Sequence, residues 1–131
     1  MRALFATARI AHLATVRPDG SPHIVPCVFA LEGDTLVTSV DRKPKRSAAL
    51  QRTRNIEHQP HVSLLADRYD EDWERLWWVR ADGTARVIDG GPAFERALSL
   101  LAAKYAQYEG DPGSEIVIEV AIDRWVGWRW R

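Results

Sequence analysis

The hydrophobic pattern changes period several times along the chain, and each change marks an element. From Arg2 to Ile10, Leu4, Phe5, Ala8 and Ile10 recur near helical spacing and predict a short amphipathic helix. The period then drops to two. Leu13, Thr15 and Arg17 alternate with Ala14 and Val16, a strand that stops at Arg17-Pro18-Asp19-Gly20-Ser21, where proline sets φ and glycine is free to go positive. A second strand is expected from Pro22 to Leu31, with His23, Val25, Cys27 and Phe29 on one face and Ile24, Pro26, Val28 and Ala30 on the other. Both faces are largely apolar, which suits a wall buried on both sides. Glu32-Gly33-Asp34 predicts a hairpin into Thr35–Val40, so the first three strands read as an antiparallel meander.

Between Arg42 and His58 the β-branched residues thin out, and Ala48, Ala49, Leu50 and Ile56 sit among arginines in a helix ended by Gln59-Pro60. Strand character returns at His61–Asp67. Beyond an acidic loop, Asp70–Glu74, it resumes at Leu76–Arg80 and Thr84–Ile88, and Asp82-Gly83 between these allows either a hairpin turn or a bulge in one long strand. Phe94, Ala97, Leu98, Leu101, Ala102 and Tyr105 form the clearest helical stripe, with Pro92 just inside its start and Gly110 past its end. Ile116–Ile122 is the last strand, followed by a tail, Arg124–Arg131, rich in tryptophan and arginine. Six strand-like runs with two helical insertions predict a mainly β (α+β) fold, a small antiparallel barrel with helical crossovers, over residues 1–131 as a single domain.

At 131 residues and 46% hydrophobic content, such a domain buries roughly two thirds of its unfolded surface and needs no staple. The one cysteine, Cys27, excludes an internal disulfide and points to a reducing compartment. No apolar run approaches the ~20 residues of a membrane span, and the first residues do not read as a signal peptide, so the expectation is a cytoplasmic protein. Lys+Arg and Asp+Glu are 18 each, and this zero net charge excludes a general polyanion binder. Against that balance, Arg42 to Arg54 holds six cations and no acid. A solvated helix face is the plain reading of a basic run. An anion site is favoured here because the cations begin where Thr38-Ser39-Val40 ends, so hydroxyls, backbone N–H groups and a helix N-terminus converge with lysines.

These residues carry a resemblance. His12-Leu13-Ala14-Thr15-Val16, Asp19-Gly20-Ser21-Pro22-His23-Ile24-Val25-Pro26, Lys43-Pro44-Lys45, Arg54-Asn55-Ile56 and Pro60-His61-Val62-Ser63-Leu64-Leu65, in this order, resemble the pyridoxamine-phosphate-oxidase-like flavin/deazaflavin oxidoreductases. More narrowly, Asp70-Glu71-Asp72-Trp73 followed by Leu76-Trp77-Trp78-Val79-Arg80-Ala81-Asp82-Gly83-Thr84-Ala85 is similar to an actinobacterial subgroup presumed to use the deazaflavin coenzyme F420. The resemblance implies an FMN-binding split β-barrel, a six-stranded antiparallel Greek-key barrel. It also implies a homodimer with two cofactor sites at the subunit interface. Carried over by position, Thr38, Ser39, Lys43, Lys45 and Arg52 would cradle the phosphate side, while Pro26 and Trp78 would lie at the ring. No catalytic acid or base stands out, as expected where the cofactor itself holds the hydride. The function implied is hydride transfer between coenzyme F420 and an unsaturated small molecule. FMN in the same fold, or a non-catalytic flavin or haem carrier or sensor, are the alternatives. One FMN phosphate needs fewer cations than the phosphodiester and oligoglutamate of the deazaflavin, so the basic excess favours the latter.

Adjacent in a strand, Trp77 and Trp78 point to opposite faces, one to the core and the other to a dimer partner or the ring. Trp125, Trp128 and Trp130 serve equally well as a packed tail or as a pocket wall. Stacking of single-stranded nucleic acid on aromatic and basic residues is disfavoured by the acidic loop and zero net charge. His58 and His61 are separated by Pro60 and do not share a helix face for a metal, and the acidic loop lacks a calcium-loop glycine and terminal glutamate. His12 and His23 read as structural residues, with an approach of His23 to a ring in the barrel mouth as the alternative, and Cys27 reads as a small core residue.

Overall fold

The computed structural model describes residues 1–41, 46–108 and 114–130. Helix α1 is Arg2–Thr7, followed by β1 (Ala11–Val16), β2 (Pro22–Cys27), β3 (Ala30–Glu32) and β4 (Thr35–Asp41). Helix α2 (Arg46–His58) leads to β5 (His61–Arg68), β6 (Trp77–Ile88), α3 (Pro92–Lys104) and β7 (Ser114–Arg129). The strands form one antiparallel sheet in the order β2-β1-β5-β6-β7-β4-β3.

Three strand expectations are corrected. The run expected from Pro22 to Leu31 is broken after Cys27, giving seven described strands rather than six. Its break has a local cause: the Tyr105 hydroxyl, at the end of α3, accepts from the Phe29 N–H at 3.2 Å and lies 3.1 Å from the Phe29 carbonyl, replacing the ladder there. The first three strands are therefore no meander. β1–β2 and β3–β4 are two hairpins at opposite edges of the sheet. The sheet is also open, not a closed barrel: β2 carries Pro22 and Pro26, which lack N–H donors, and β3 has only three residues, so the two edges present little ladder to each other.

The open Asp82-Gly83 question resolves as one strand with a bulge. β6 runs through it for 12 residues, and the β6–β7 register shifts between Asp82 and Gly83. A Cβ at Gly83 would stand 2.2 Å from the Ala121 carbonyl oxygen, so only glycine fits this close approach. The expected tail is likewise part of β7, which continues to Arg129 by pairing Trp128 with Trp78 and Arg129 with Trp77.

The alternation of the strands sends Leu13, Cys27, Leu36, Val40, Val62, Leu64, Val79, Ala81, Ile118 and Val120 to an inner face, where they form one core closed by Phe5 of α1 and Ile56 of α2. Phe5 packs between Phe29 and Trp125, at 4.9 and 5.5 Å between ring centroids. On the outer face α3 lays Phe94, Ala97 and Leu101 over Val37, Ile88 and Val117. This is the stripe that the sequence predicts, and it starts at Gly91, whose φ of +90° precedes Pro92 at the first turn. No helix among the described residues is long and apolar enough to cross a membrane.

Candidate functional site

The antiparallel register places Thr15 opposite His23 and Ala11 opposite Cys27, so His23, Val25 and Cys27 of β2 all face inward. Thr38 of β4, wholly buried, faces the same side as Leu36 and Val40. Over this end lies α2, held by Asn55, whose Nδ2 donates to Thr15 Oγ1 at 2.9 Å and whose Oδ1 accepts from Gln51 Nε2 at 2.7 Å. One turn before Asn55, Arg52 enters the same region.

This corner holds unfilled polar capacity. His23 Nδ1, Thr38 Oγ1 and Arg52 Nε are all buried without a hydrogen-bond partner among the described residues. Cys27 links two of them: its thiol lies beside the Thr38 hydroxyl, short of hydrogen-bond geometry, and feels the Arg52 charge. His23 reaches α2 through its cross-strand neighbour Thr15, which Asn55 holds one turn from Arg52. Burial pushes that thiol above its ordinary pKa, against the pull of Thr38, Arg52 and Lys104. Burial, then the guanidinium groups of Arg17 and Arg52, hold the His23 imidazole below its usual value. Burial likewise lowers Arg52, which has no carboxylate partner among the described residues. A desolvated guanidinium with an unfilled Nε is a site for an oxyanion.

The other expected site residues are dispersed. Ser39 points to the opposite face from Thr38, where its hydroxyl is hydrogen-bonded to that of Tyr108. Lys43 and Lys45 lie outside the described residues. Pro26 is exposed on the outward side of β2, opposite His12. Trp78 is also outward and 37% exposed, whereas Trp77 packs against the inner core. Thus the structure gathers Thr38 and Arg52, adds His23, and sets Pro26, Ser39 and Trp78 elsewhere on the molecule. For His23 the sequence offers a strand parity shared with Cys27 and a place near the barrel mouth, and these gain meaning only once α2 covers the strand.

Among the described residues, no helix packs over the outward side of β2, β1, β5 and the facing ends of β6 and β7. Ile24 is 63% exposed there on β2, and Trp78 and Trp128, paired across β6 and β7, are exposed at the far side of the same face. In its middle Asp82 accepts from Ser63 Oγ at 2.7 Å and from Arg80 Nε at 2.9 Å. A groove of about 400 Å³ on this side is walled by Ala14, Pro22, His61, Ser63, Asp82 and Asp123. A larger apolar groove, about 620 Å³, runs between α1 and the end of β7, lined by Met1, Leu4, Val79, Gly127, Trp128, Arg129 and Trp130.

An antiparallel sheet curled over a core, with a helix laid across one end, is consistent with a split-barrel fold. The chain belongs to the pyridoxamine 5'-phosphate oxidase family, matched over residues 1–129. No curated protein matches it. Among solved structures it is similar to the conserved hypothetical protein Rv2991 from Mycobacterium tuberculosis, with 20% identity, TM-score 0.77, and coverage of 98% of this chain and 84% of that one. A haem-binding protein from Mycobacterium smegmatis gives 20% identity and TM-score 0.77 over 98% of this chain and 52% of that one. A structure described as an F420 reductase gives 22% identity and TM-score 0.66 over 95% and 94%.

Proposed function

We propose that this protein is an oxidoreductase that passes a hydride between the deazaflavin coenzyme F420 and an unsaturated small molecule, acting as a homodimer. The observation that carries the reading is Arg52: a half-buried guanidinium with an unfilled Nε and no carboxylate partner among the described residues, beside the unfilled Thr38 hydroxyl. A flavin-type cofactor with an anionic arm suits that donor set. The basic segment from Arg42 to Arg54, with Lys43 and Lys45, favours several anionic groups over one. Such a cofactor supplies the hydride chemistry when bound. The chain's own residues bind its anionic arm, orient its ring against apolar walls and exclude water. Pro26 and Trp78 are outward residues, so contact between them and a ring belongs to the assembled dimer, at a face shared by two copies. A cytoplasmic setting, read from the single cysteine, is part of the same proposal.

FMN in the same site is the second reading, supported by family membership. A haem or flavin carrier is the third, supported by the likeness to the haem-binding protein from Mycobacterium smegmatis. The test is a fluorescence titration of the purified protein with coenzyme F420 and with FMN, followed by turnover assays with quinone, enone and tetrapyrrole acceptors. Micromolar binding of F420 without FMN binding, and reduction of one acceptor class, is the expected result. Tight FMN binding alone promotes the second reading, and binding of either cofactor without turnover promotes the carrier.

A further inference from the structure

Three hydrogen-bonding atoms without partners in one buried corner are unusual, since the large majority of buried polar atoms in native proteins are satisfied. Two of them, Arg52 Nε and the Thr38 hydroxyl, can donate as they stand. The third, His23 Nδ1, can accept or donate, and which it does depends on the proton.

The surroundings of His23 decide its state in the free protein. On β1 its cross-strand neighbour Thr15 is neutral and already engaged by Asn55 of α2. On the β1–β2 turn Arg17 is held at Pro22 O (2.6 Å) and Ser21 Oγ (3.3 Å). From α2 comes Arg52, and along β2 on the same face lie Val25 and Cys27. The turn's carboxylate, Asp19, is taken by Ser21 N and Oγ at 2.9 and 2.6 Å and does not act on His23. His23 is thus flanked by two cations and by no carboxylate among the described residues, so a proton on it is opposed by like charge and burial together. An oxyanion on Arg52 reverses this local field, and the protonated imidazole then becomes a third donor to the same anion.

We propose that His23 is the proton-linked partner of Arg52: the inner-face corner takes its oxyanion together with a proton on the His23 imidazole. This rests on the reading that Arg52 holds the cofactor's anionic arm, and it adds a positioning residue and a pH control to that site. As a linkage, affinity is highest at low pH and falls as pH rises through the pKa of the bound state. A rise of about one unit on binding corresponds to about a tenfold change in affinity across the window.

The test is histidine NMR on the intact protein, with the four imidazoles resolved and the His23 signal assigned by its loss in His23→Gln. The signal is titrated with pH in the free protein, with coenzyme F420, with FMN, and with millimolar inorganic phosphate. The expected result is a His23 pKa at least one unit higher with bound anion, and a parent affinity that loses about tenfold more than His23→Gln between the low and high ends of the titration. Comparing parent and variant cancels the ligand's own ionisation. A His23 signal unmoved by every anion that binds overturns the proposal; if His23→Gln does not fold, the signal is assigned by elimination with His12→Gln, His58→Gln and His61→Gln, and the parent spectrum decides. Failure of both cofactors to bind the parent instead defeats the cofactor reading. In that event inorganic phosphate still decides the His23 proposal: a shifted signal supports it, and an unmoved one overturns it.

Discussion

At the residue scale, Arg52 and Lys104 show two uses of a partly buried cation. Lys104 ends α3 with its Nζ 3.6 Å from the centroid of the Phe29 ring, and Arg9 stacks at 4.6 Å over Tyr105 next to it. Burial, then the Arg9 charge, lowers the Lys104 ammonium to about 8. A lowered folded-state pKa means that the unfolded chain binds more protons between about 8 and the ordinary lysine value of 10.5, so stability rises with pH across that window. Urea denaturation at both ends of the window checks this: the parent gains stability on going up in pH relative to Lys104→Met, and equal pH profiles contradict it. Arg52 has no aromatic ring over it among the described residues. A charge-assisted contact to an anion is worth about 1.5–3 kcal/mol, so Arg52→Ala is expected to weaken binding of the cofactor by tenfold or more while leaving the fold intact. Added salt weakens parent binding in parallel, and a variant that binds as well as the parent at low salt removes the basis for the site.

The elements show where local pattern decides and where it does not. α3 has the stripe and the leading proline of a helix that buries one face, and it forms over Pro92–Lys104, while Gly110 lies outside the described residues. The long run from Pro22 was uniformly strand-like, and nothing within it marks Val28-Phe29 as a break. The break depends on Tyr105, 76 residues away, which takes over the Phe29 N–H. Tyr105→Phe leaves that buried donor without a partner and is expected to cost about 1–3 kcal/mol, read as a lower urea midpoint with an unchanged slope. A cost near zero would mean that the N–H finds another acceptor. Thr38 and Ser39 teach the same lesson about a site. Adjacent residues of a strand face opposite ways, so β4 delivers one hydroxyl to the inner corner and the other to Tyr108. Strand parity made this separation legible in advance, but which of the two would meet Arg52 depended on where α2 lands.

For the whole molecule, the outward side of the sheet carries Ile24 on β2 and the Trp78–Trp128 pair on β6 and β7 in the open, apolar side chains of the kind that mark an interaction surface. A second copy of this chain is the occupant proposed above. Sedimentation at micromolar concentration is expected to give twice the 14.9 kDa mass of the chain, and Ile24→Asp is expected to shift it to the monomer. A monomer in the parent would remove the dimer from the proposal. What the sequence by itself determined is what local periodicity and chemistry can carry: an antiparallel, mainly β domain, the α3 stripe, the basic segment after β4, and the motifs placing the chain in its family. Tertiary structure alone decided the seven-stranded order, the open edge, the bulge at Gly83 and the meeting of His23, Thr38 and Arg52. The physical reason is range. Side-chain alternation fixes which residues share a face, whereas only packing between distant segments fixes which faces meet and which buried polar atoms are left waiting for a partner.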